Sequence, residues 1–214
     1  MNGDEGLIRI DAAGVRLEGN LIVPRNAKGV VLFAHGSGSS RFSSRNRQVA
    51  ETLRERGLAT LLIDLLTHEE ELVDTRTAHL RFDIELLADR LVGASEWLAK
   101  EHASLKIGLF GASTGGGAAL VAAARIPERI RAVVSRGGRP DLAAEALPRV
   151  KAPTLLIVGG DDGPVIGMNQ DAYNQMTALR RIEIVPGASH LFEEPGKLEE
   201  VSRLAGDWFV KYLS

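Results

Sequence analysis

Ser113 lies in LFGASTGGGAAL, residues 109–120, inside a Gly-x-Ser-x-Gly frame. A serine hydroxyl attacks a carbonyl at neutral pH only when a base takes its proton, and the base needs a third group to orient it. The chain supplies candidates for both. His190, in VPGASHLFEEPG, is the expected base. Asp162, in LLIVGGDDGPVIG, is the expected acceptor of its Nδ1–H, with Asp161 beside it as the alternative. Acyl transfer also needs donors aimed at the developing oxyanion. The Gly/Ser stretch FAHGSGSS lets backbone approach a substrate closely, so the N–H groups of Ser37 and Thr114 are the expected donors.

The frame around Ser113 is a weak pattern when taken alone. A tight structural turn, or a phosphate-binding loop at a helix start, uses the same glycines. No lysine follows in Walker spacing, and no dinucleotide fingerprint is completed. Gly115 to Gly117 open a helical stretch at a cost of roughly 1 kcal/mol each against alanine. A sharp strand-to-helix turn explains that cost, because side chains two residues either side of the serine would strike neighbouring backbone. The other histidines are poorer bases. His102 ends a helix ahead of a strand, at the wrong end of the sheet, and suits a helix C-terminus. His68 and His79 lie in a polar stretch with Glu69 to Glu71, where a solvated loop is expected rather than a metal site.

These residues need a frame to hold them, and the pattern of the chain describes one. LIRI and VRLEGNLIVP read as two strands joined by a turn at Asp11–Gly14. Uniformly apolar strands follow in GVVLFA, LATLLIDLL, LKIGLFG, IRAVVS and APTLLIVG, and RRIEIV reads as the last strand. Between them lie helical segments: RNRQVAETLRERG, RFDIELLADRLVGASEWLAKEH, GGGAALVAAARIPER and NQDAYNQMTAL, with LEEVSRLAGDWFVKYLS closing the chain. PDLAAEALPRV reads as a short helix or loop. Strands that are apolar throughout are buried on both faces. The expected fold is therefore a single α/β domain over 1–214, a three-layer α/β/α sandwich on a mostly parallel sheet of about eight strands with an antiparallel N-terminal edge. Working residues in such sheets follow the carboxyl ends of strands. Ser113, His190, the aspartate pair and FAHGSGSS all do.

Composition narrows the class. The 214 residues carry 26 Lys and Arg against 28 Asp and Glu, so no basic footprint for nucleic acid is present. Cysteine is absent, which excludes disulfides, thiolate metal sites and a cysteine nucleophile. No apolar run approaches the ~20 residues that span a bilayer, and MNGDEGLIRIDAAG has no signal-peptide apolar core. The expectation is a cytoplasmic protein without membrane or nucleic-acid partners, a monomer or homodimer.

The order Ser113, Asp162, His190 resembles that of an α/β-hydrolase. HGSGSSR, GASTGGG, GGDDGPV and GASHLFEEPG, in this order over nearly the whole chain, resemble the small dienelactone hydrolase-related branch of that superfamily. The resemblance implies a hydrolase of esters or lactones that uses no cofactor or metal. Dienelactone hydrolases proper use a cysteine nucleophile, whereas this chain has Ser113, which favours general serine esterase chemistry. Only Thr67 to Arg81 separate the fourth strand from the long helix, so no cap domain is expected and the site should be open to small, soluble substrates. The expected reaction is hydrolysis of small carboxylic esters, with lactones and thioesters following the same path. A non-catalytic binding member of the fold is the alternative. Arg41, Arg45 and Arg47 follow the oxyanion loop, and Arg136 and Arg139 follow the sixth strand. Arg41 and Arg136 are the candidates for contacting an anionic substrate.

Overall fold

The computed structural model describes residues 6–214. The charged residues 1–5, part of the segment read above for a leader, lie outside that range. Eight strands form one sheet: β1 (Gly6–Ala12), β2 (Val15–Ile22), β3 (Gly29–Ala34), β4 (Ala59–Ile63), β5 (Lys106–Ala112), β6 (Ile130–Arg136), β7 (Thr154–Gly159) and β8 (Arg180–Val185). Six helices accompany them: α1 (Ser44–Glu55), α2 (His68–Thr77), α3 (Ile84–Glu101), α4 (Thr114–Arg125), α5 (Gly163–Gln175) and α6 (Lys197–Leu213). The spatial order is β1-β2-β4-β3-β5-β6-β7-β8. The first two strands pair antiparallel, β2 joins β4 antiparallel, and every later pairing is parallel.

The apolar strands divide their side chains between two cores. On β3, Val30, Leu32 and Ala34 join the layer of α3 and α4, while Val31 and Phe33 join that of α1 and α6. This is the two-sided burial that an uninterrupted apolar strand implies. The chain crosses from β4 over β3 to start β5, so β3 and β5 are neighbours whose following segments diverge. A crevice opens at such a switch point. The loop of Ser37 and the turn of Ser113 meet there.

Some segments differ in detail from the sequence expectation. His68 to Thr77 is a helix rather than a solvated loop. Its Thr67 cap accepts from the Glu70 N–H, and the Glu70 side chain accepts from the Thr67 N–H, so the capping box supplies what an apolar stripe normally would. Residues 140–149 form 3₁₀ turns broken at Ala144, where Pro148 prevents a regular helix. The long helix begins at Ile84, and residues 80–82 form a separate 3₁₀ turn. No described helix is long and apolar enough to cross a membrane.

Candidate active site

Ser113 sits between β5 and α4 with φ 50° and ψ −123°. A non-glycine residue in that region is held there only by its surroundings. The clamp is visible in the backbone. Ser113 N–H donates to the Arg136 carbonyl at 3.2 Å, and the Ser113 carbonyl accepts from Gly116 at 2.9 Å and from Arg139 at 3.0 Å. A Cβ on Gly111 would lie 2.3 Å from the Gly115 carbonyl oxygen, and one on Gly115 would lie 2.4 Å from that of Ala34. The glycines are therefore imposed by contact, since no neighbour can retreat from a backbone atom. Gly116 and Gly117 likewise bring α4 against the turn after β6.

The loop after β3 comes equally close, because a Cβ on Gly36 would lie 3.1 Å from Ser113 Cβ. His35 fixes this loop. Its Nε2 accepts from the Leu65 N–H at 3.1 Å, so Nδ1 carries the proton and donates to the Gly36 carbonyl at 2.9 Å. Burial pushes the His35 imidazole below its usual range, which keeps it neutral. The sequence reading passed over His35. Its position at the end of an apolar strand was the one signal available.

His190 lies after β8 and Asp162 after β7, as the pattern required. Their Nδ1 and Oδ2 are 2.6 Å apart. Asp162 occupies the cap position of α5 yet makes no capping bond with its side chain, because the carboxylate is turned to the imidazole. Asp161 is exposed, and its N–H donates to the Ala188 carbonyl, so the geometry pairs His190 with Asp162. Gly137, at φ 50°, packs beneath the ring, where a Cβ would come within 3.5 Å. Ser113, His190, Ser37 and Arg136 line one cavity of about 210 Å³. Thr114 and Ser37 also line a second cavity of about 220 Å³ on the α2 side of the loop after β3.

Arg41 does not line the cavity of Ser113. Its backbone N–H donates to Asp64 at 2.7 Å, and its guanidinium bonds Asp64, Glu18 at 2.8 Å and Asn20 at 3.1 Å. It clasps the loop after β3 to β2 and to Asp64 after β4, away from the cavity where a substrate contact was expected. Arg139 is paired with Asp141, and Arg47 lies over the Phe42 ring. Of the arginines named from the sequence, Arg136 and Arg45 line the cavity. His102 caps the end of α3, where it was expected. Among the described residues, no group of three or more His, Asp or Glu is placed to hold a metal ion.

Similarity to known proteins accords with this arrangement. A model of the dienelactone hydrolase family matches residues 17–208. The crystal structure of a dienelactone hydrolase from Anabaena variabilis is 63% identical, covers 100% of both chains and superposes with a TM-score of 0.98. A Xanthomonas campestris protein described as an α/β serine hydrolase without lid shares the fold at 17% identity, with a TM-score of 0.77 over 100% of this chain and 97% of its own. Two Mycobacterium tuberculosis proteins named as phosphoribosyl transferases are each 56% identical over 208 residues, 96% of this chain and 46% of their own length. The chain thus spans about half the length of these curated relatives.

Proposed function

We propose that this chain, which belongs to the dienelactone hydrolase family, is a serine hydrolase that cleaves small soluble carboxylic esters through an acyl-enzyme. The observation that carries the reading is the 2.6 Å Asp162–His190 pair, whose His190 lines the same cavity as the strained Ser113. Ser113 Oγ attacks the carbonyl carbon as His190 Nε2 takes its proton. Asp162 holds the imidazole in the tautomer with Nδ1 protonated and stabilises the imidazolium that forms. The N–H groups of Ser37 and Thr114 receive the oxyanion, and the dipole of α4 points the same way. His190 returns the proton to the leaving alkoxide. Water, activated by the same imidazole, then releases the acid. Lactones and thioesters fit the same steps, and no step calls for a cofactor or a metal ion.

The name borne by the mycobacterial relatives belongs to proteins more than twice as long as the stretch matched here. We do not extend it to this chain, whose paired imidazole and carboxylate serve a serine nucleophile. We propose in addition, from the sequence alone, a cytoplasmic protein that acts on small molecules as a monomer or homodimer. A pre-steady-state trace with 4-nitrophenyl acetate tests the chemistry. A burst of one nitrophenolate per chain, lost in Ser113→Ala, supports the acyl-enzyme, and a linear trace identical in both proteins refutes it.

A further inference from the structure

The two cavities meet at the loop after β3, where Gly36, Ser37 and Ser39 line both. The one on the α2 side includes Thr114, the first residue of α4. Leu65, Leu66 and Leu87 give it apolar walls, and α2 closes it with Glu71, Asp74 and Thr75. It stays open because of the sequence of that helix. Asp74 is the only buried residue of α2, while Leu72 and Val73 are exposed, so α2 turns no apolar side chain into the space. Thr114 is 2% exposed, and its Oγ1 is buried without a partner. At the start of α4 no helical carbonyl lies one turn behind to accept from this hydroxyl. A buried hydroxyl left unbonded is a cost that a valine of the same shape would avoid.

The charges around this cavity set the kind of group it accepts. Asp64 is held by Arg41, and Asp74 by Arg81. Glu71 has no ion pair among the described residues, so the surplus charge is negative and repels an anion. We propose that this cavity is a subsite for a neutral, hydroxyl-bearing arm of the substrate, whose hydroxyl bonds Thr114 Oγ1 while its carbon chain lies against Leu65, Leu66 and Leu87. The covalent frame of one threonine holds N and Oγ1 about 3–4 Å apart. With the Thr114 N–H on the oxyanion, its hydroxyl therefore reaches a group only a few bonds from the scissile carbonyl. The substrate is then an ester that carries a hydroxyl close to that carbonyl, on its acyl or its alcohol side. Calling the group part of a substrate rests on the acyl-transfer reading, whereas its binding beside Thr114 does not.

The test has two parts, so that the subsite and the hydrolase reading fail separately. The first compares esters in which a hydroxyl replaces a methyl group. On the acyl side, 4-nitrophenyl 3-hydroxybutanoate is set against 4-nitrophenyl 3-methylbutanoate. On the alcohol side, 2-hydroxyethyl butanoate is set against propyl butanoate. In the parent, at least one hydroxylated ester should exceed its match in kcat/KM by about five- to tenfold, the worth of one hydrogen bond to a buried hydroxyl. Thr114→Val should remove most of that ratio, and Thr114→Ser should keep it. Both variants retain the Thr114 N–H position, so the ratio between esters is read rather than the rate on one. The second part needs no turnover. In Ser113→Ala, ligand-observed NMR should show the preferred hydroxylated ester binding more tightly than its match, and adding Thr114→Val should abolish the difference. Equal kcat/KM for both pairs in the parent, or a preference that survives Thr114→Val, overturns the assignment. A binding difference that depends on Thr114, with no ester hydrolysed by the parent, upholds the subsite and counts against the hydrolase reading.

Discussion

Replacing Arg136 with methionine should make the protein more stable, although it removes a large buried side chain. Burial, aided by the like charge of Arg45, pushes the Arg136 guanidinium from its ordinary value down to about 10, so its charged form is disfavoured by about 3 kcal/mol. Methionine keeps the apolar stem and removes that cost. Against it stand the weak contact of the guanidinium with the Phe192 ring at 5.9 Å, worth about 0.5 kcal/mol, and imperfect repacking of about 1 kcal/mol. The balance favours the variant by about 1–2 kcal/mol, or a Tm about 2–8 °C higher for a chain of this size. Calorimetric melts near neutral pH, in a buffer free of phosphate and carboxylate, measure it. The pH dependence adds an internal check. Because the folded-state value is depressed, the cost is fully present below about pH 10 and is relieved as pH rises from there towards the unfolded value. The gap between the two proteins should therefore narrow above about pH 10. A variant that melts below the parent, or a gap constant across that window, would mean that Arg136 already has a partner in the fold, and the reasoning would fail.

Other substitutions probe the machinery around it. Asp162→Asn should cut kcat by about 10³–10⁴, the cost of an imidazole held in the wrong tautomer, while Asp161→Asn leaves kcat close to that of the parent; steady-state kinetics on one ester separates the two carboxylates. Gly115→Ala should destabilise by about 3 kcal/mol, because its methyl meets the Ala34 carbonyl at 2.4 Å and backbone cannot move aside; denaturant melts report this. His35 is kept neutral by burial, so its contribution to stability is present above the unfolded imidazole value and is lost as pH falls below it. His35→Gln should lower Tm near neutral pH and flatten its decline on acidification, a difference read from parallel melts.

The turn at Ser113 was legible in the sequence because its requirements are steric and leave glycines behind. His190 and the aspartate pair were legible because each stands in a loop that follows a strand of the sheet. The choice between Asp161 and Asp162 was not legible, since both follow β7 and only the path of the turn decides. There, Asp161 spends its N–H on Ala188 while Asp162 turns its carboxylate to the ring. Arg41 and Arg136 looked alike in sequence, each lying close to the end of a strand. Their difference is one of direction: Arg41 is drawn back by Asp64 and Glu18. Arg136 has the parity of Ala132 and Val134, whose side chains join the layer of α1 and α6. Counting by twos along β6 would have placed it opposite the first turn of α1, and Arg45 with it. The helix α2 was hidden because its residues carry no apolar stripe, although Thr67 and Glu70 spelled out its start.

The central claim is that Ser113 is an activated nucleophile, and intact mass after treatment with a fluorophosphonate probe tests it most directly. The account predicts one phosphonyl adduct on the parent and none on Ser113→Ala. A well-folded parent that takes up no label, or a variant labelled as readily as the parent, would contradict it.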